Sequence, residues 1–142
     1  MESTALLIAA SLNAGTVLAI ASLGLLINEK AGIVNLGAEG MMLCAALAGF
    51  ATVVHTGSTV AGFAAGMAAG ALLAAIFGGL VIWLNTNQYA TGLALSLFGG
   101  GFSAFAGTSY VQEKLPEQAT FAIPLLADIP FLGLSLIHIS EP

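Results

Sequence analysis

The 142-residue chain is 58% hydrophobic and 6% charged, with 18 glycines, two lysines, no arginine and a formal net charge of −5. So few polar groups cannot clothe a soluble globule, and a mean hydropathy of +1.03 makes this an integral membrane protein. Two cations exclude a nucleic-acid surface. The lone cysteine, Cys44, excludes an internal disulfide and reads as packing inside an apolar run.

Residues 3–27 carry no charge, and a helix of that length, at about 1.5 Å per residue, exceeds the roughly 30 Å hydrocarbon thickness. This is the first predicted span. A cleaved signal peptide would need a positive segment before a shorter apolar core, whereas only Glu2 precedes this one. Asn13 falls near the middle of the span, where an amide is expected to face other helices as structural glue. The polar stretch 28–32 then reads as a short connection between antiparallel helices.

Gly32-Ile33-Val34-Asn35-Leu36-Gly37-Ala38-Glu39-Gly40-Met41-Met42 breaks the apolar pattern with glycines, one amide and one carboxylate. A glutamate followed by an uncharged run, here Met41 to Gln112, marks a membrane boundary or a functional polar site. Asn35 is expected to cap the second helix, with Glu39 one turn later at the positive end of its dipole. The second span is predicted over 36–54. His55 follows at an interfacial position, with no metal-ligating partner nearby in sequence.

Gly57 and Ser58 make a tight connection into a third span over 59–84. There Gly62, Gly66 and Gly70 form a tandem GxxxG stripe for helix packing, and Trp83 is an interfacial anchor. A turn of amides, residues 85–88, leads into a fourth span over 89–110. Gly99-Gly100-Gly101 interrupts it, each glycine costing about 1 kcal/mol against alanine, which implies a kink, a break or very close packing. Asn87, Gln88 and Thr91 near its start are placed on one face as a polar strip. From 111 to 133, charges and three prolines read as an extramembrane loop. The fold class expected is all-α, a polytopic membrane protein of about four transmembrane helices. Lys30 and Lys114 fall on opposite sides of that layout, so charge asymmetry does not orient it.

The string from Gly32 to Met42 resembles a signature of permease subunits in bacterial ABC importers for nucleosides and simple sugars, relatives of the branched-chain amino acid permeases. Asn87-Gln88-Tyr89-Ala90-Thr91-Gly92-Leu93-Ala94-Leu95 is similar to that family's polar turn before a helix, and Ile123 to Gly133 resembles its loop before the next span. Such permeases have about twice as many spans and a cytoplasmic segment that docks on an ATPase. Residues 1–133 are therefore expected to be the N-terminal part of a permease domain, unstable when isolated. Residues 134–142 depart from the pattern and resemble a translated sequencing adapter.

The resemblance implies a multi-pass protein of the bacterial inner membrane, its N-terminus outside, Lys30 near the cytoplasm and the loop of Glu113 to Asp128 outside. It implies half of a substrate path for a nucleoside or simple sugar, with a leaning toward nucleosides. The partners implied are a second permease subunit, an ABC ATPase subunit that binds the ATP, and an extracytoplasmic substrate-binding protein. The chain itself is expected to be no enzyme and to hold no cofactor, since it lacks a P-loop sequence. Asn35, Glu39, Asn87 and Thr91 are the candidate path residues; for Glu39, a role in starting the helix weighs at least as much. Two other readings stay open: a small self-associating pore built on Gly62, Gly66 and Gly70, and a piece of an ion-coupled secondary transporter.

Overall fold

The computed structural model describes residues 2–115, so most of the expected external loop and the whole tail lie outside the described residues. Four α-helices make up most of the described residues: α1 (Glu2–Lys30), α2 (Ala38–Thr56), α3 (Thr59–Gly78) and α4 (Gln88–Gly107). A π-helical turn, Gly79–Trp83, extends α3, and a 3-10 turn, Thr108–Tyr110, extends α4. Each of the four is long and apolar enough to cross a membrane. Two compact units divide the described residues, 2–22 of α1 belonging to the first and 23–115 to the second.

The first helix runs through Asn28-Glu29-Lys30 instead of stopping at 27, and α2 starts at Ala38, so the connection lies at residues 31–37 rather than 28–32. Its end is set by Gly32, whose φ of +83° lies in the left-handed region. The Gly32 amide donates to the Glu29 carbonyl at 2.9 Å and the Ile33 amide to the Asn28 carbonyl at 2.9 Å. This paired arrangement uses up the last carbonyls of a helix and needs a residue without a Cβ at the turn. The end of α2 is built in a related way: Gly57, at φ +68°, donates to the Val53 carbonyl at 2.8 Å.

The second unit is organised on α2, which packs against both α3 and α4, while α3 and α4 meet only sparsely. Gly49 lies against Gly62 and Gly66, and Ala45 against Gly66 and Gly70, so α2 and α3 run antiparallel. Helices α2 and α4 run parallel with a constant offset, since Cys44 meets Gly99 and His55 meets Tyr110, both 55 residues apart. The interior is made of small residues. Gly37, Gly40, Gly62, Gly92 and Gly99 are buried, with Met41, Cys44, Val53 and Phe77 as the buried apolar side chains. Large apolar groups point outward, among them Phe63, Leu97 and Phe105. Lipid offers helices no hydrophobic reason to associate, so close backbone approach between small residues takes over that role.

Hydroxyls inside the spans turn back on their own helices. Thr16, Ser22, Thr52 and Thr56 each donate to the carbonyl four residues earlier, at 2.6 to 2.8 Å. In hydrocarbon this removes an otherwise unsatisfied donor without requiring a neighbour.

Candidate functional site

The polar residues singled out in the sequence gather where the connection from α1 enters α2 and where α4 begins. Asn35 does not cap α2. The N-cap is Gly37, which has no side chain to offer, and the helix begins at Ala38. The Asn35 carboxamide instead accepts from the Gly37 amide at 2.9 Å, a turn within its own segment, while its Nδ2 faces Met41 Sδ at 3.7 Å. The competing principle is that asparagine closes a local turn as readily as it caps a helix. Asn35 is thereby buried, with 9% of its surface accessible.

The same segment is clasped from α4. The Val34 amide donates to Gln88 Oε1 at 3.0 Å, across 54 residues of sequence. One turn further on, Gly92 sits so close that a Cβ there would come to 2.9 Å from the Leu36 nitrogen and 3.0 Å from the Gly37 nitrogen. The seam continues upward. A Cβ at Gly40 would meet the Leu95 carbonyl at 2.5 Å, and a Cβ at Gly99 would run into the backbone of Gly40. Of the Gly99-Gly100-Gly101 triplet, only the first is needed for contact; α4 continues through all three as helix.

Asn87 is the N-cap of α4, its Oδ1 accepting from the Tyr89 and Ala90 amides at 3.0 and 3.2 Å. Thr91 Oγ1 lies 2.9 Å from Thr86 Oγ1. Glu39 is exposed in the first turn of α2 and, among the described residues, has no ion pair or hydrogen-bond partner. The four candidate path residues therefore do not form one hydrogen-bonded cluster: Asn35 and Asn87 serve the backbone, Thr91 pairs with Thr86, and Glu39 is free to face a solute or a partner. The stripe residues Gly62 and Gly66 face α2, and Gly70 makes ordinary contact with Ala45.

Three features went unread in the sequence. Gln88 is a clasp rather than part of a polar strip. His55 bonds Tyr110 Oη at 3.1 Å and packs edge-on against its ring, tying the far ends of α2 and α4. An open groove of 480 Å³ is lined by Leu80 on one side and by Ala90, Thr91, Ala94, Leu95 and Phe98 of α4 on the other. It is apolar apart from Thr91. Among the described residues no group of three His, Cys, Asp or Glu side chains is gathered to hold a metal ion.

Among the described residues the arrangement is one of close helix packing between small residues. Over 141 residues the chain is 43% identical to the "Putative glucose ABC transporter permease protein TsgC13" of Haloferax volcanii, covering 98% of this chain and 40% of that protein. It is 30% identical over 145 residues to the guanosine ABC transporter permease protein NupQ of Bacillus subtilis, covering 94% and 45%. The nucleoside ABC transporter permease protein NupC of Lactococcus lactis subsp. cremoris is 30% identical over 131 residues, covering 83% and 40%. The chain thus spans less than half the length of these relatives. No solved structure matches. Residues 7–137 match the family described as "Branched-chain amino acid transport system / permease component", and the chain belongs to that family of membrane transport components.

Proposed function

We propose that the chain forms part of the transmembrane path of an ATP-driven importer in the plasma membrane, for a simple sugar or a nucleoside. The observation that carries this reading is the 43% identity to a protein named for glucose, together with two matches at 30% to proteins named for guanosine and nucleosides. In this reading a second permease subunit completes the path, an ABC ATPase subunit binds and hydrolyses the ATP, and an extracytoplasmic binding protein delivers the solute. Capture by the binding protein leaves the membrane path needing only weak solute contacts. The seam of α2 and α4 supports the mechanical part. Helices that touch backbone to backbone move as one body, and alternating access requires such bodies to rock against compliant neighbours.

The test is uptake in proteoliposomes. The permease is reconstituted at full length with the ATPase and binding protein encoded beside it, and labelled glucose and guanosine are offered in parallel. ATP-dependent accumulation of one of them, abolished by omitting the ATPase, is the expected result. Accumulation that ignores ATP and follows a sodium or proton gradient overturns the reading.

A further inference from the structure

The foot of α3 winds differently from the rest of the bundle. At Gly79–Trp83 the helix becomes a π turn, and the Leu84 amide donates to the Gly79 carbonyl, five residues back, at 3.2 Å. In a regular helix that amide would donate to Leu80. The Leu80 carbonyl, however, is already taken twice, by the Thr86 amide at 3.1 Å and by Thr86 Oγ1 at 2.9 Å. A carbonyl has two lone pairs, so the Leu84 amide is diverted to the next acceptor. Thr86 in turn is anchored on α4 through the 2.9 Å contact of its hydroxyl with that of Thr91.

Two further observations bear on what this turn is for. Gly78 and Gly79 sit at the junction with helical backbone angles, and a Cβ on either would meet nothing closer than 3.9 Å. Neither contact nor a left-handed φ requires a glycine at these places, unlike at Gly40, Gly92 or Gly99. What a glycine pair does supply is a low cost of rewinding. The chain then leaves the turn through Asn85, the one non-glycine residue at positive φ among those described, at 50°. Leu80 itself forms a wall of the groove whose polar member is Thr91.

We propose that Gly79–Trp83 is a register switch latched by Thr86. When the Thr86 hydroxyl and amide leave Leu80, the Leu84 amide returns to the Leu80 carbonyl and the π turn anneals into α-helix. The following side chains turn by about 100°, one residue's worth of helix rotation, and the groove beside Thr91 is reshaped at Leu80. Single π turns within α-helices recur at functional sites. The switch is a property of this chain's own backbone and stands independently of the transported solute and of the ATPase.

Trp83, the single tryptophan of the chain, lies in the turn and reports on it. The permease at full length, assembled with its partner subunits and carrying 5-fluorotryptophan, is examined in lipid nanodiscs by fluorine NMR. The Trp83 resonance is assigned by its loss in Trp83→Phe, and spectra are compared for wild type, Thr86→Val, Thr86→Ser and the double change Gly78→Ala with Gly79→Ala. Thr86→Val is isosteric and removes only the hydroxyl bonds. It is expected to raise the population of a second resonance about five-fold relative to wild type, the factor that corresponds to about 1 kcal/mol for one hydrogen bond. Thr86→Ser keeps the hydroxyl and is expected to match wild type. The double alanine variant is expected to slow exchange between the two resonances several-fold. A single resonance, unmoved by Thr86→Val in a chain that stays folded, overturns the proposal. So does a double alanine variant whose spectrum is unchanged while its membrane abundance falls, because the glycines would then be a packing surface.

Discussion

Gly99→Ala and Gly100→Ala add the same methyl group to adjacent residues of one helix, and the structure assigns them opposite outcomes. At Gly99 the new Cβ would overlap the carbonyl and Cα of Gly40. Those are backbone atoms of a second helix, so no rotamer change relieves the clash; α2 and α4 must part along the seam that also holds Gly37, Gly92 and Cys44. Overpacking of a tight interface costs about 1 to 3 kcal/mol, and this position belongs near the top of that range. At Gly100 nothing lies within 4 Å, so alanine only improves helix propensity, by up to about 1 kcal/mol. The two variants should differ by about 2 to 4 kcal/mol. Gly62→Ala is an intermediate control, because its Cβ would meet a Val53 methyl and, at 2.9 Å, one backbone oxygen of Gly49, where a Cβ at Gly99 would meet three backbone atoms of Gly40 closer still. The assay is thermal stability in matched detergent, read by loss of the monodisperse peak after heating. Stability ordered Gly100→Ala, then Gly62→Ala, then Gly99→Ala is expected. Equal stability at positions 99 and 100 would refute the parallel α2–α4 seam.

Gln88→Leu removes the acceptor for the Val34 amide and should cost about 1 to 3 kcal/mol, as a part-buried donor is left unpaired. Gln88→Glu, which keeps an acceptor, should cost less, and faster hydrogen exchange at Val34 in the leucine variant alone checks the assignment. Asn87→Ala removes the side-chain cap of α4 at a cost of about 1 kcal/mol, whereas Asn87→Asp should be close to wild type in the same melts. Glu39→Gln should leave membrane abundance unchanged, since Glu39 is exposed and unpaired among the described residues. Solute uptake by the reconstituted importer then decides its role: a fall at normal abundance keeps Glu39 on the path, and normal uptake removes it.

The number, order and rough limits of the helices were legible because uncharged runs of about 20 residues have one use in a membrane chain. Contact across the bundle was legible only in part. The Gly62, Gly66, Gly70 spacing announces a close approach but is silent about its partner, which the fold supplies as Ala45, Gly49 and Val53 of α2. Gly40 and Gly99 carry no such spacing, being one glycine from each of two helices 59 positions apart, and only the fold, whose 55-residue register of α2 and α4 brings them within one helical turn of each other, reveals them as neighbours. Asn35 misled for a local reason. Capping and turn-closing use the same carboxamide oxygen, and the choice was made by Gly37, whose amide lies two residues on. The π turn had a faint signal in Gly78-Gly79, but its cause is the hydroxyl of Thr86 reaching six residues back, which no helical periodicity encodes.

One residue type thus does two opposite mechanical jobs, and what separates them is whether a neighbour occupies the space a side chain would take. Where backbone fills it, as at Gly40, Gly92 and Gly99, glycine fuses α2 and α4 into a unit that cannot shear without losing its contacts. Where only the end of a side chain comes within ordinary contact distance, as at Gly78 and Gly79, glycine leaves the backbone free to rewind. The rigid seam and the compliant turn meet at the first turn of α4, where Gln88 holds the α1–α2 connection and Thr91 holds Thr86. Motion at the foot of α3 therefore has two outcomes available to it. It can be absorbed by the π turn, or it can be passed through Thr91 to α4 and hence to α2. The Thr86–Thr91 contact is the branch point between them, and its loss should uncouple the groove at Leu80 from the seam while leaving the seam intact.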